Sequence, residues 1–392
     1  MILFFLFYLD KGDFGEAKYA KVFPSLTVLV PAYNSMGTIK KCVKHMKALK
    51  YPGKLDLVFV DDGCTDGTTQ YLGKVNGIRL IKMKKNSGKA NAMNFALSKI
   101  KTELIACMDS DTYPENDVLL KTSGYFEDSE VGAVTCLILP DGKQNLIQKI
   151  QFFEYASGFG LWNTVLSSIN SMSMIPGPMT VFRKKVFDTI GNYDAENLTE
   201  DMEIGMRMQK FGFKIRTCFE ARAHTDTPDT WKKLFKQRDR WYRGRIYNLL
   251  KYHKLFFNKD NKNFGFFALP YLFALELVSV TLLVRLGILF FNNVFNFVVV
   301  NTSVIASTGS LGFEFPRLFL NSTIIFFIFS YFFIFAFIYF SLNLIKYKVT
   351  KKDVLAILIN ILLYPMFITI VYAQSYVKEM LGVGAKWERV SI

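Results

Sequence analysis

Over residues 25–139, short apolar runs alternate with amphipathic stretches. Segments 27–30, 57–60, 79–81, 104–108 and 133–139 read as strands, and 35–49, 67–75, 89–99 and 115–126 as helices between them. That βαβα rhythm predicts an α/β domain with a doubly wound, mostly parallel sheet. Ligands in such sheets bind beyond the carboxyl ends of the strands. From residue 266 the pattern changes: 266–291, 318–345 and 354–376 are each apolar for long enough to span a bilayer, which takes roughly 20 residues. The polar, nearly uncharged stretch 292–315 separates the first two. The link 346–352 carries four lysines, a cytoplasmic mark. This places the domain before it in the cytoplasm and 292–315 outside.

Three spans put the tail outside, yet Lys386-Trp387-Glu388-Arg389 has an interfacial composition. Pro365 is positioned to split the last segment into two half-helices, so both sides stay open for the tail. The opening 1–9 stretch is apolar but too short to cross, with no basic leader and no cleavage site. It reads as a shallow anchor or the remnant of a longer helix. Glu276 and Arg285 fall within the first span, nine residues apart. At roughly 100° per residue they lie on opposite helix faces and cannot pair. Arg285 is near enough to an end to snorkel; Glu276 is expected to face other helices or a polar path.

Composition sharpens this. The 392 residues are 51% hydrophobic, with 39 Phe, yet the net charge is +15. The Lys and Arg excess lies before residue 265 and in 346–352, which suits anionic headgroups and an anionic nucleotide. No nucleic-acid recognition motif accompanies it, so nucleic acid is not an expected partner. Five dispersed cysteines without a C-x-x-C pair fit a reducing compartment, and three scattered histidines make no zinc pattern.

Four acidic or aromatic landmarks carry the chemistry. Asp61 and Asp62 end the second strand, where a carboxylate can accept hydrogen bonds from a base and ribose; a polar helix-capping turn is the plain alternative. Asp109-Ser110-Asp111 ends the fourth strand, and two carboxylates one residue apart can share Mg²⁺ or Mn²⁺ with a diphosphate. Asp111 and Pro114 also resemble a helix start. Lys89 opens a helix after Ser87-Gly88, a place to neutralise phosphate. Thr199-Glu200-Asp201 reads as a capped, acidic helix start. The run Gln237-Arg238-Asp239-Arg240-Trp241 reads as an interfacial helix.

In this order and spacing, the landmarks resemble the D, D×D, TED, Q×xRW signature of membrane-bound family 2 glycosyltransferases, the group of cellulose, chitin, hyaluronan and poly-N-acetylglucosamine synthases. The resemblance covers 27–244. It implies a GT-A type nucleotide-sugar-binding domain followed by transmembrane helices. It divides the chain into a 1–24 segment, a 25–225 catalytic domain, 226–265 interfacial helices and a 266–392 membrane region. It implies that Pro31, Ala32 and Tyr33 cradle the nucleoside, with Asp61, Asp62, Lys89, Asp109, Ser110, Asp111 and Arg240 on a UDP-sugar donor. Ser35 departs from the acidic residue usual there. Asp109 and Asp111 would bind metal and Asp201 would be the general base. Thr199, Glu200, Gln237 and Trp241 would line the acceptor side. The implied reaction is an inverting, metal-dependent transfer to a growing β-linked glycan, or to a membrane lipid. The low span count favours the lipid or a homo-oligomer; the full set of acids disfavours a transporter or an inert scaffold.

Overall fold

The computed structural model describes residues 15–142, 144–308 and 322–383. The 1–9 stretch, residues 309–315 and 318–321, and the 386–389 motif fall outside them.

The chain opens with β1 (Leu26–Ala32), α1 (Ile39–Lys47), β2 (Leu55–Asp61), α2 (Thr68–Leu72), β3 (Arg79–Lys82), α3 (Lys89–Leu97) and β4 (Leu104–Met108). Every residue of β1 is buried, because β2 and β4 flank it in parallel. A strand covered on both faces needs an apolar run rather than an alternation. Alternate side chains still part company: Val28 enters one apolar layer with Phe59, and Leu29 enters the other with Ile105. Helix α1 buries Ile39, Cys42, Val43 and Met46, a single stripe at helical spacing.

The sheet has eight strands in the order β3-β2-β1-β4-β7-β6-β8-β5. Beyond β4 the expectation of a mostly parallel sheet fails. There β7 (Met179–Arg183) runs antiparallel to both β4 and β6 (Val131–Pro140). Strand β8 (Lys214–Thr225) is parallel to β6 and antiparallel to β5 (Thr112–Pro114). The sheet is therefore mixed. After β6 the chain passes through α5 (Leu146–Tyr155), a π-helical turn (Ala156–Trp162) and α6 (Asn163–Ser168), then re-enters the sheet reversed, as β7. The helix start read at Asp111 and Pro114 is also replaced. Residues 112–114 pair with β8 as a strand, and α4 (Val118–Ser123) begins later.

Helices α7 (Lys184–Ile190) and α8 (Glu200–Lys210) follow β7, and α9 (Trp231–Lys251) follows β8. The remainder is α10 (Leu269–Thr308), α11 (Ser322–Leu344), α12 (Val354–Leu362) and α13 (Tyr364–Met380). The expected polar break from residue 292 does not occur in the described residues, since α10 is helical through Thr308. Its polar side chains turn back on their own helix: Asn301 donates to the Phe297 carbonyl, Thr302 to Val298 and Ser303 to Val299. With the preceding π turn, Phe264–Ser307 is long and apolar enough to cross a membrane. Residues 351–362 and 364–380 pass the same test only as one broken span, bent by 44°. Pro365 opens the second half of that pair, as its position in the sequence suggested.

The C-terminal helices are anchored to the sheet domain by polar bonds. Asn360 of α12 donates to the Ile150 carbonyl of α5 at 3.0 Å, and Asp353 pairs with Lys149 at 2.6 Å. From α13, Ser375 and Lys378 bind Asp239 at 2.9 and 2.8 Å, and Glu379 pairs with Arg243. Helix α9 is thus wedged between the sheet domain and α13.

Candidate active site

One cavity of about 430 Å³ lies at the carboxyl ends of β1 and β4, beneath α9. Of the residues singled out from the sequence, Pro31, Ala32, Tyr33, Asp62, Lys89, Asp109, Ser110, Asp111, Thr199, Glu200, Asp201, Gln237, Arg240 and Trp241 all line it. Asp61 does not. Its carboxylate accepts from the Cys64 amide at 2.8 Å and the Thr69 hydroxyl at 2.6 Å, within its own turn. Asp62 accepts from the Ser87 and Gly88 amides, both at 2.9 Å, and so fixes the turn that launches α3 and Lys89. Gly63 makes this approach feasible. It adopts φ +75°, and a Cβ there would sit 2.7 Å from the Asn86 nitrogen.

Lys89 is the electrostatic hub. Its ammonium pairs with Asp109 at 2.7 Å and Glu200 at 2.9 Å, tying the two acidic motifs together. Burial alone would lower its pKa, but the surrounding carboxylates of Asp109, Glu200 and Asp201 hold it well above the usual lysine value. Ser110 shares a 2.9 Å hydrogen bond with Ser35, so the residue that replaces the usual acid braces the Asp109-Ser110-Asp111 turn. Asp109 and Asp111 present only hard oxygen donors to the cavity. Among the described residues no three His, Cys, Asp or Glu side chains converge to hold a metal. This donor set fits a cation completed by substrate phosphates, and does not fit a closed protein cage.

Across from Lys89 stands α8. Thr199 does not cap it; its hydroxyl instead accepts from Asn248 of α9 at 3.0 Å. Glu200 and Asp201 diverge in character. Burial disfavours charge on Glu200, yet Lys89 overrides this and holds its pKa below the usual value. Asp201 accepts from the Gly177 amide at 3.2 Å. Loss of hydration, reinforced by the Glu200 charge, pushes its pKa up to about 6. Glu203 faces away, bonded to Tyr252, Arg207 and Lys251.

The far wall is aromatic. Trp241 lies 6.5 Å from Tyr155, ring centre to ring centre, with Phe159 and Trp162 of the π turn beside them. Beneath Trp241 sits Arg238, fully buried, its guanidinium 4.2 Å from the indole centre. Arg238 pairs with Glu154, which also accepts from Tyr364 of α13 at 2.8 Å. Arg240 donates to the Leu198 carbonyl at 3.1 Å, just ahead of α8. A charged half around Lys89 and an aromatic half around Trp241 thus share the cavity, which Asp201 lines near Lys89.

Residues 104–371 match the family described as glycosyl transferase family group 2. The chain belongs to that family. It is a glycosyltransferase, with the GT-A fold as its catalytic scaffold. It is 29% identical over 223 residues to the poly-beta-1,6-N-acetyl-D-glucosamine synthase of Staphylococcus aureus (strain MSSA476), covering 56% of this chain and 54% of that protein. The Staphylococcus epidermidis protein of the same name is 28% identical over 223 residues, with the same coverage. The chain therefore spans about half the length of the curated relatives it matches. Among solved structures, the mannosyltransferase PcManGT from Pyrobaculum calidifontis, determined with GDP-Man and Mn²⁺, shares the fold with a TM-score of 0.64 at 17% identity. That alignment covers 97% of this chain and 95% of the other.

Four features of this glycosyltransferase site escaped the sequence reading. Gly177 lies in a Pro-Gly-Pro loop, a turn signal that was there to find. The π turn has no local signature. Glu154 and Arg238 are distant in sequence, and only the fold brings them together as an ion pair. The sequence set both Asp61 and Asp62 on the donor, and only the fold shows that Asp62 alone of the two lines the cavity.

Proposed function

We propose that this glycosyltransferase is an inverting, metal-dependent enzyme that moves a sugar from a UDP-sugar to a growing β-linked glycan at the cytoplasmic face of a membrane. The observation that carries the proposal is Asp201, a cavity-lining carboxylate held on the Gly177 amide near Lys89, with its pKa raised to about 6. A base working near neutral pH needs such a shift. Asp201 takes the proton of the acceptor hydroxyl. The hydroxyl oxygen bonds to the anomeric carbon as the bond from that carbon to the diphosphate breaks, and the electron pair leaves with UDP. Attack opposite the leaving group turns an α-linked donor into a β-linked product.

Pro31, Ala32, Tyr33 and Asp62 receive the nucleoside, and Lys89 and Arg240 the diphosphate. Asp109 and Asp111 would hold Mg²⁺ or Mn²⁺ together with that diphosphate; the chemistry such a cation supplies is charge neutralisation on the departing group. Trp241, supported by Arg238, offers a flat face to the acceptor sugar, with Gln237, Thr199 and Glu200 around it. Residues 25–225 act as the catalytic domain, 226–265 as interfacial helices that carry Gln237, Arg240 and Trp241, and 266–392 as the membrane region. The Phe264–Ser307 helix and the basic 346–352 link support that location. The names of the staphylococcal relatives make N-acetylglucosamine the first sugar to test.

The test is to size the product made from radiolabelled UDP-N-acetylglucosamine by the purified protein. Label in a large product that a β-hexosaminidase releases is the expected result. Label confined to one single-sugar glycolipid overturns the polymer reading, and no incorporation overturns the donor.

The metal assignment has its own test. Asp111→Asn is expected to weaken UDP binding at least roughly 10-fold with Mn²⁺ present, the lower end for disturbing a metal's surroundings. With chelator, variant and parent should bind alike by titration calorimetry. Equal affinity in both conditions removes Asp111 from the metal site.

A further inference from the structure

Lys89 bridges two elements. Its ammonium reaches Asp109, in the turn after β4, at 2.7 Å and Glu200 of α8 at 2.9 Å. Gly177 closes a third side, since a Cβ there would lie 3.3 Å from the ammonium nitrogen. The backbone on both sides of the Asp109 contact is held. The Asp109 amide donates to the Pro178 carbonyl at 3.2 Å, and the Asp109 carbonyl accepts from the Thr112 amide at 3.2 Å. The next residue, Ser110, is braced on Ser35. The start of α3 is fixed in turn, because Asp62 binds the Ser87 and Gly88 amides. What can move between these anchors is the flexible four-carbon stem of the lysine.

Asp109 thus has two cationic claimants. It is one of the two carboxylates proposed above to share a divalent cation with the diphosphate, and Lys89 already holds its Oδ1. A divalent cation taking that carboxylate approaches against the ammonium at close range, and the repulsion is strong in a cleft of low polarisability. Lys89 yields only if another anion receives it. Glu200 is already engaged and cannot replace the lost contact. A diphosphate can, because its oxygens accept charge-assisted hydrogen bonds from the ammonium and coordinate the cation at the same time.

We propose that Lys89 is the stand-in cation of the donor-free site. It occupies the Asp109 carboxylate until a diphosphate takes its ammonium, so that divalent cation and nucleotide load together rather than cation first. Glu200 remains its second partner through the exchange. The proposal rests on the metal-dependent reading above and adds an order of events to it.

The experiment titrates the purified protein with Mn²⁺ alone and follows the free ion by its paramagnetic resonance signal. Lys89→Met should bind bare Mn²⁺ at least roughly 10-fold more tightly than the parent, the lower end for changes around a metal's ligands. The same variant should bind UDP more weakly in chelator, by titration calorimetry, because the nucleotide has lost its ammonium. Adding Asp109→Asn to Lys89→Met should erase the gain in Mn²⁺ affinity. A gain that survives the addition is charge acting at a distance, and overturns the stand-in role. If Lys89 only ties α3 to α8, bare Mn²⁺ affinity in Lys89→Met stays at the parent value or falls, and the proposal falls with it. Because Met leaves two acids without their partner and can unfold the protein, Lys89→Gln, which is uncharged but still a hydrogen-bond donor, is titrated beside it. The gain should appear in Lys89→Gln as well, and its absence there in folded protein overturns the proposal. A failure confined to bare Mn²⁺ leaves the metal-dependent reading intact. If the parent binds no Mn²⁺ even with UDP, that reading falls and the stand-in role with it.

Discussion

Asp201→Asn is expected to lower sugar transfer by roughly 10²–10⁴-fold, the scale for losing a general base, while UDP binding stays near the parent value. The amide keeps the shape of the side chain and can still face the Gly177 loop, but it cannot take a proton. The same assignment fixes the pH response of the parent. The Asp201 carboxyl is pushed up to about 6, so below that pH it is increasingly protonated and unable to act as base. kcat/KM should therefore fall with an acidic limb near 6, about tenfold for each further pH unit, rather than near the ordinary aspartate value. Initial rates from pH 4.5 to 8, with UDP affinity measured on the same samples, decide the matter. Near-parent transfer by the Asn variant would remove Asp201 as the base. Glu203 would not inherit the role, since it is turned away and held by Tyr252, Arg207 and Lys251.

Arg238→Met should cost toward the lower end of roughly 3–5 kcal/mol of stability, the range for breaking a buried pair. The lower end applies because the Glu154 side chain retains 26% exposure. For a chain of 392 residues that corresponds to a fall of roughly 4 °C in melting temperature. Transfer should fall as well, because the guanidinium under Trp241 fixes the indole against Tyr155. Arg238→Lys preserves a positive charge but not the two-pronged grip on Glu154, and should recover only part of either loss. Differential scanning calorimetry alongside transfer assays checks both. An unchanged melting temperature in the Met variant would show that the pair contributes nothing.

The first four strands were legible because each is an apolar run bounded by a polar turn, and the acidic landmarks fall where those runs end. That pattern was enough to bring Asp62, Asp109 and Asp111 to one cavity, whereas Asp201, at a helix start, was placed with them only by the family resemblance. Strand direction is not written in such runs. Nothing in residues 179–183 says that they run against β4, and the mixed sheet follows from the helical excursion before them. The apolar region misled in a different way. Asn301, Thr302 and Ser303 suggested a loop, but each satisfies its side chain on the preceding helical turn. Glu276 was rightly denied Arg285 as a partner by helix geometry, while its true partner, Arg245, lies 31 positions earlier on another helix, which no local pattern could supply.

Helices α8 and α9 are joined without slack. Asn248 of α9 hydrogen-bonds to both Asn197 and Thr199, at 2.7 and 3.0 Å, and Gly244 leaves so little room that a Cβ would overlap the Thr199 hydroxyl at 2.3 Å. Asp201 on one helix and Trp241 on the other are consequently parts of a single rigid block. On the proposed glycan reading, successive rounds of transfer would leave that block unchanged. A lengthening product would then be the moving part, advancing past a stationary gauge by one sugar per round.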